Sequence, residues 1–90
     1  MAEQPTSTRV TVRYFAGARA AAGTPEEVVV LPAGSTVDDV LADLTRRRGD
    51  QIARVLAACS FLLDGTAVRD RGTPVPDGVE LDVLPPFAGG

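Results

Sequence analysis

Apolar residues alternate with polar or charged residues along two segments near the ends of the chain, residues 9–15 and residues 79–84. This period of two is typical of β-strands that bury one face. The last strand should therefore have one apolar face and one acidic face, which carries Glu80 and Asp82. Residues 26–31 are mostly β-branched and apolar, and they predict another strand that pairs antiparallel with the first.

A helical period of apolar residues follows the second strand. These residues are spaced i, i+3, i+4 and i+7, and they are Val37, Val40, Leu41 and Leu44. Thr36 is placed to cap this helix, with Asp39 as its reciprocal partner in a capping box. Gly49 predicts a left-handed stop at the other end. The helix should lie flat on one face of the sheet.

The remaining residues predict shorter elements. They are a loop with one helical turn at residues 16–23, a short second helical turn at residues 52–56, a strand at residues 58–63 and, after a tight turn at residues 64–65, a strand at residues 66–68. A second turn at Asp77-Gly78 leads into the last strand.

This order of elements is an α+β arrangement with one main helix on one face of a mixed sheet. We predict a β-grasp (ubiquitin-like) fold with four to five strands and a short second helical turn. The first and last strands have the longest apolar alternations, so we place them side by side and parallel at the centre of the sheet. The chain then divides into a flexible leader at residues 1–8, the β-grasp domain at residues 9–84 and an extended tail at residues 85–90.

The composition excludes several kinds of chemistry. A net charge of -3 argues against a broad electrostatic attraction to nucleic acid or to an anionic membrane. The chain has no histidine and one cysteine, which excludes a cluster of soft metal ligands and a histidine-assisted nucleophile. Because there is no long apolar run and no secretion signal, we expect a cytoplasmic protein.

Three features have both a structural and a functional interpretation. The arginine run at residues 46–48 complements the helix dipole and shields the last helical carbonyls, or it forms a docking patch for an acidic partner. Cys59 is a buried, inert thiol within the third strand, or a residue that carries sulfur. Phe61, Leu63 and Leu84 belong to the core, or they offer apolar contacts to a partner.

The composition of the last six residues is unlike that of the rest of the chain: Pro85-Pro86-Phe87-Ala88-Gly89-Gly90. Two consecutive prolines remove backbone donors, so a strand that reaches Leu84 cannot continue its hydrogen bonding. About six residues at roughly 3.3 Å each could extend roughly 20 Å from the fold. Gly89 and Gly90 have no side chain, so this end could pass through a narrow channel. The terminal α-carboxylate is then the unusual chemical group of the chain.

Three motifs resemble a known family. Residues 12–19, Val-Arg-Tyr-Phe-Ala-Gly-Ala-Arg, together with Gly23, resemble the opening signature of the molybdopterin synthase small subunit. Residues 31–37, Leu-Pro-Ala-Gly-Ser-Thr-Val, resemble the start of that family's helix, and Asp77-Gly78 with residues 84–90 resembles its ending. Together these motifs are specific for ubiquitin-like sulfur carriers of the MoaD/ThiS type.

The resemblance implies a carrier that supplies a reacting atom and no catalytic groups. The Gly90 carboxylate would attack the α-phosphate of ATP inside an adenylyltransferase related to ubiquitin-activating enzymes. A sulfur donor, often a persulfide, would then convert the acyl-adenylate to a thiocarboxylate. The tail would deliver its sulfur inside an acceptor enzyme, with the molybdopterin synthase large subunit as the expected partner. No cofactor would be bound, since ATP is used by the activating enzyme, and activity is expected only with a partner.

The same resemblance implies which residues contact partners. Gly90 would carry the adenylate and the thiocarboxylate. The partner-binding residues would be Gly89, Ala88, Phe87, Pro86 and Arg19. Alternatives remain open at this point: the acceptor could belong to cysteine, thiamine, tRNA or secondary-metabolite thiolation. A ubiquitin-like protein modifier would share the fold and the tail but would form an amide bond with a target lysine.

Overall fold

The computed structural model describes residues 6–86 of the 90-residue chain. Five strands and three helices follow one another in the order β1 (Ser7–Tyr14), α1 (Ala16–Ala22), β2 (Glu26–Pro32), α2 (Val37–Arg48), α3 (Asp50–Ala58), β3 (Ser60–Leu63), β4 (Thr66–Ala67) and β5 (Val79–Leu84). None of the helices within this part of the chain is both long enough and apolar enough to cross a membrane.

The strands form one mixed sheet in the order β2-β1-β5-β3-β4. The first and last strands are parallel neighbours near its centre, with Val12 opposite Leu81, which confirms their predicted placement. β1 also pairs antiparallel with β2, as predicted, and β5 pairs antiparallel with β3. The chain therefore has the predicted α+β arrangement.

The core lies between one face of this sheet and the three helices. Alternate residues of β1 and β5 point into it, and these are Val10, Val12, Tyr14, Val79, Leu81 and Val83. The predicted apolar stripe of α2 packs against them, and Val37, Val40 and Leu44 are completely buried. Because successive strand residues point to opposite faces, the intervening residues of β1 and β5 lie on the other face of the sheet.

Helix α2 begins as the sequence predicts, with Thr36 and Asp39 forming a reciprocal capping box. The left-handed stop predicted for Gly49 is wrong. Gly49 has φ 90° and ψ -169°, outside the left-handed helical region, because it caps α2 and also precedes α3 directly. The positive φ still favours glycine at this position.

The other two helices are longer than predicted. Residues 16–23 were expected to be mostly loop, but alanine favours helix strongly and α1 extends over seven residues to a left-handed Gly23. The expected short turn is the nine-residue helix α3, which buries Ile52 and Leu56 one turn apart. The architecture therefore has three helices on the sheet, where the sequence predicted one main helix and two short helical turns.

The starts of two strands also differ from the prediction. β1 starts at Ser7, so Ser7 and Thr8 are not part of a flexible leader. Thr8 is buried and donates a hydrogen bond to the Val75 carbonyl oxygen at 2.8 Å. β3 starts at Ser60, because Ala58 is the last residue of α3 and Cys59 caps that helix.

The arginine run lies at the end of α2, as predicted. Its guanidinium groups, however, do not bond to the last carbonyl oxygens of α2 but to other groups. Arg46 and Arg47 both pair with Asp43 one turn earlier. Arg47 and Arg48 reach the Glu27 carboxylate of β2, with nitrogen–oxygen distances of 3.3 and 2.8 Å. The run thus connects the end of α2 to the sheet.

Candidate functional site

The base of the tail is the end of the central strand β5. Leu84 is the last residue of that strand and lies opposite Ser60, the first residue of β3. The Val83 carbonyl oxygen accepts a hydrogen bond from the Phe15 amide at 3.2 Å. Pro85 follows, and it has no N–H to extend either ladder. The chain therefore leaves the sheet here, beside the junction of β1 and α1.

A recess of about 560 Å³ opens at this point, and we call it the tail-base recess. Its lining residues are Phe15, Ala16, Gly17, Ser60, Leu84, Pro85 and Pro86. Ala16, Gly17 and Ser60 are too small to fill the space between residues 15–17 and the end of β5. The walls are the Phe15 ring, Leu84 and the two prolines, so the recess is mainly apolar. A mainly apolar concavity suits an apolar group from another molecule.

A bend in the backbone forms one side of the recess. Ala16 has φ 49°, in the left-handed region that only a few non-glycine residues occupy. This conformation turns the chain from β1 directly into α1. The first turn of α1 is thereby brought against the end of β5, although the sequence places the two segments far apart.

Electrostatic contacts on the outer face of the sheet support the Phe15 wall. The Arg13 guanidinium lies 5.7 Å from the centroid of the Phe15 ring. Arg13 also donates two hydrogen bonds to the Asp82 carboxylate, and these bonds raise the pKa of Arg13 above its ordinary value. The last strand carries the predicted acidic residues on this face, and the buried Asp82 among them forms an ion pair with Arg13 that the sequence did not predict.

A second network supports the same bend from the helical side. The Tyr14 hydroxyl donates a hydrogen bond to Glu27 Oε2 at 2.6 Å, and the same oxygen accepts one from Arg48 Nε at 2.8 Å. Arg48 also donates to the Ala22 carbonyl oxygen at the end of α1. Burial raises the pKa of Tyr14, and the Glu27 hydrogen bond raises it further. The network ties α1, β1, β2 and α2 together just before the recess.

The structure locates two of the predicted partner-binding residues. Pro86 is exposed and lines the tail-base recess. Arg19 is exposed on α1, two residues after Gly17, so it lies on the helix whose first turn lines that recess. The other predicted site residues, Phe87, Ala88, Gly89 and Gly90, lie outside the described residues.

The recess itself is the feature that the site prediction lacked. Phe15, Ala16 and Gly17 were noted as part of a motif but not as a surface, and Ser60 was not assigned to a site. Of the three residues with two interpretations, Phe61 is buried in the core and Leu63 packs against it. Leu84 is half-buried and lines the recess, so it is available to a partner.

Cys59 lies next to the recess without opening into it. Its predicted burial is confirmed, although it caps α3 and is not part of a strand. Burial raises the pKa of the Cys59 thiol, and this opposes formation of the nucleophilic thiolate. Within residues 6–86, no group of three or more His, Cys, Asp or Glu side chains is arranged to bind a metal ion.

Comparison with known proteins assigns the chain to a family. The model of the ThiS family matches residues 12–90, which include the recess and the whole tail. The chain belongs to the ThiS family. It is a sulfur carrier of the MoaD/ThiS type with a ubiquitin-like β-grasp fold, and the predicted resemblance and fold class are both confirmed.

Three relatives show how far the likeness extends. The molybdopterin synthase sulfur carrier subunit of Chlamydomonas reinhardtii is 31% identical over 83 residues, which cover 91% of this chain and 99% of that one. The solution structure of small archaeal modifier protein 1 from Methanosarcina acetivorans has a TM-score of 0.79 at 29% identity, covering 93% of this chain and 98% of that one. A complex of subunits 1 and 2 of the Helicobacter pylori molybdopterin-converting factor contains a chain with a TM-score of 0.65 at 25% identity, covering 92% and 100%.

Proposed function

We propose that this ThiS-family protein carries sulfur as a thiocarboxylate on Gly90 and donates it in molybdopterin synthesis. The observation that carries the proposal is the way the central strand ends. β5 is held by β1 on one side and β3 on the other up to Leu84, and the chain then leaves the sheet through two prolines. A rigid base followed by a thin Gly-Gly end is suited to placing one carbon atom inside another protein.

The chemistry proposed for this end has three steps. A carboxylate is a poor electrophile until one of its oxygens becomes part of a good leaving group. In an adenylyltransferase, the Gly90 carboxylate would attack the α-phosphate of ATP and release pyrophosphate. The terminal sulfur of a persulfide would then attack the acyl carbon and displace AMP, and a thiol would cleave the resulting sulfur–sulfur bond to leave the thiocarboxylate and a disulfide.

The acceptor we propose is a large subunit of molybdopterin synthase. The Chlamydomonas reinhardtii relative is named as the sulfur carrier subunit of that enzyme, and the Helicobacter pylori relative is in complex with the second subunit of its converting factor. In this chain, Pro86 and the tail-base recess would be the first to contact the large subunit or the adenylyltransferase. Arg19, on the helix that lines the recess, would also contact these partners. Phe87, Ala88 and Gly89 would then enter the partner's active site.

The test is intact-mass spectrometry of the protein incubated with a cognate adenylyltransferase, ATP and a persulfide donor. We expect the mass to increase by the difference between one sulfur and one oxygen atom, and the product to support molybdopterin formation when a large subunit is added. The control omits ATP and should show no change. An unchanged mass with an adenylyltransferase that loads its own carrier would contradict the proposal.

A second candidate function is protein modification. It is favoured by the structural likeness to a small archaeal modifier protein, which has nearly the same length as this chain. A modifier would use the same adenylate but transfer the Gly90 carbonyl to a lysine amine. Covalent adducts of higher mass in cells, together with no thiocarboxylate after incubation, would favour this second function.

A further inference from the structure

The two exposed large apolar side chains within residues 6–86 lie on one strand. Val28 is 49% exposed and Val30 is 57% exposed, and both belong to β2. β2 is an edge strand of the sheet. Natural proteins usually protect such an edge with lysine, proline or a bulge. Here lysine does not occur in the chain, and Pro32 stands only at the end of the strand.

The hydrogen-bond pattern shows which backbone groups of β2 face outward. The Tyr14 amide donates to the Pro25 carbonyl oxygen at 2.8 Å, and the Ala33 amide donates to the Thr6 carbonyl oxygen at 3.1 Å. In an antiparallel pair, hydrogen-bonded positions alternate with non-bonded ones. Odd-numbered residues of β2, such as Val29, therefore direct their N–H and C=O groups toward β1.

The even-numbered residues direct these groups away from the sheet. At the two ends of β2 the outward carbonyls are already used, because Glu26 accepts from the Thr24 hydroxyl and Pro32 accepts from Ser35. Val28 and Val30 lie between them, and no backbone hydrogen bond within the described residues uses their outward groups. Each valine thus presents an unused donor and an unused acceptor beside an exposed side chain.

These groups fit a second copy of the same strand. If two β2 strands pair antiparallel with Val29 opposite Val29, each Val28 lies opposite Val30 of the second copy. Each of these two pairs would exchange two hydrogen bonds, which would use all the outward N–H and C=O groups of both valines. Directly opposite residues share a face, so the four exposed side chains would form one apolar patch.

The same register avoids charge repulsion. Glu26 would lie opposite Pro32 of the second copy, and the two Glu26 carboxylates would be at opposite ends of the paired strands. Glu27 would lie opposite Leu31, and its carboxylate is already held by Arg47 and Arg48. An arrangement in which each copy supplies the same patch is the isologous interface of a two-fold dimer.

We propose that the protein forms a reversible dimer through antiparallel β2–β2 pairing, which extends the sheet to ten strands. The contact is one strand wide, so the dimer is weaker than one with an interface of standard size and depends on concentration. β5 is antiparallel to β2 through β1, so the two tails leave the dimer at opposite ends. Dimer formation therefore leaves both tail-base recesses open.

Sedimentation velocity over a concentration series from micromolar to millimolar tests the dimer. We expect the average mass to rise from 9.4 kDa toward twice that value. Amide hydrogen exchange on the same samples locates the contact: the Val28 and Val30 amides should exchange more slowly as concentration rises, whereas Val29 should not change. A mass that stays monomeric, with unprotected Val28 and Val30 amides, would overturn the proposal.

A matched pair of variants separates this edge from the other one. Val30→Lys places a charge in the proposed contact and should abolish the concentration dependence. Ala67→Lys places the same charge on β4, the edge strand at the opposite side of the sheet, and should leave it intact. The reverse result would overturn the proposal. Protection of Val28 and Val30 only after a large subunit or an adenylyltransferase is added would also overturn it, because the edge would then bind a partner's strand.

Discussion

The Arg13 guanidinium and the Asp82 carboxylate face each other directly across the two parallel central strands, with Nε–Oδ1 and Nη2–Oδ2 distances of 2.7 and 3.0 Å. The two residues are 69 positions apart in the sequence. Two parallel hydrogen bonds between a guanidinium and a carboxylate are strong and directional. The pair therefore fixes the register of β1 on β5 at the end of the sheet from which the tail leaves.

We predict that Asp82→Asn lowers the urea midpoint of unfolding, because the amide carries no charge and can accept on one atom only. Glu80→Gln is the control. Its carboxylate is on the same strand but lies 3.9 Å from Arg13 and is half exposed, so its loss should have a much smaller effect. Equal shifts for the two variants would show that the short pair has no special role.

Tyr14 should ionise only when the protein unfolds. Burial and the Glu27 hydrogen bond raise the pKa of its phenol above the ordinary value of about 10. The unfolded state then releases this proton first, so the free energy of unfolding should be unaffected below about pH 10 and should fall as the pH rises above it. Tyr14 is the only tyrosine and there is no tryptophan, so phenolate absorbance reports on this residue alone.

The measurement compares a pH titration of the native protein with one in concentrated urea. We expect a midpoint near the ordinary phenol value in urea and a later, cooperative transition in the native protein. The same midpoint under both conditions would mean that the Tyr14 hydroxyl is neither buried nor held by Glu27.

Filling the tail-base recess should impair docking without harming the fold. Gly17 lines the recess, and a Cβ built on it would have no neighbouring atom within 4 Å. Gly17→Leu should therefore fold normally but raise the KM for the carrier in sulfur loading or transfer. Gly17→Ala is the matched control. It should leave the KM nearly unchanged and stabilise the protein by about 0.5–1 kcal/mol through better helix propensity. A normal KM for Gly17→Leu would remove the recess from the proposed contact surface.

Changing the end of the tail should abolish adenylation without changing stability, whereas a core substitution should lower stability. Deleting Gly90, or adding one residue after it, should abolish adenylation because the reacting carboxylate would no longer reach the nucleotide. Thermal unfolding should stay nearly unchanged, since the described core involves residues from β1 to β5 only. The readouts are ATP–pyrophosphate exchange with the activating enzyme and a thermal melt. Continued sulfur loading of either variant would show that the tail assignment is wrong.

Much of the fold could be predicted because its signals are local. The period of two in β1 and β5, the apolar stripe of α2 and the Thr36–Asp39 capping box all depend on residues within one element. The lengths of helices α1 and α3 were underestimated because their formation depends on packing between elements. Alanine favours helix, but segments this short are marginal as isolated helices, and they become regular helices where α1 packs on α3 and α3 packs on α2.

The site was less predictable because it depends on contacts between distant segments. The tail-base recess forms where residues 15–17 meet Ser60 and the end of β5. Small residues in a sequence do not by themselves predict a cavity. The pairing of Arg48 with Glu27 was missed in the same way, since the arginine run was considered only with its own helix. The role proposed for the tail rests on the resemblance to a family, because the pattern of residues alone does not assign the tail to a reaction.

The flanking of β5 by two strands also has a mechanical consequence. A partner that drew the tail into its active site, as we propose, would pull along the axis of this strand. The force is then distributed over the hydrogen bonds to β1 and β3 together, which are loaded in shear and must break at the same time. An edge strand would instead be peeled away one bond at a time. If the tail is pulled as proposed, the fold would therefore resist unfolding each time a partner binds and releases it.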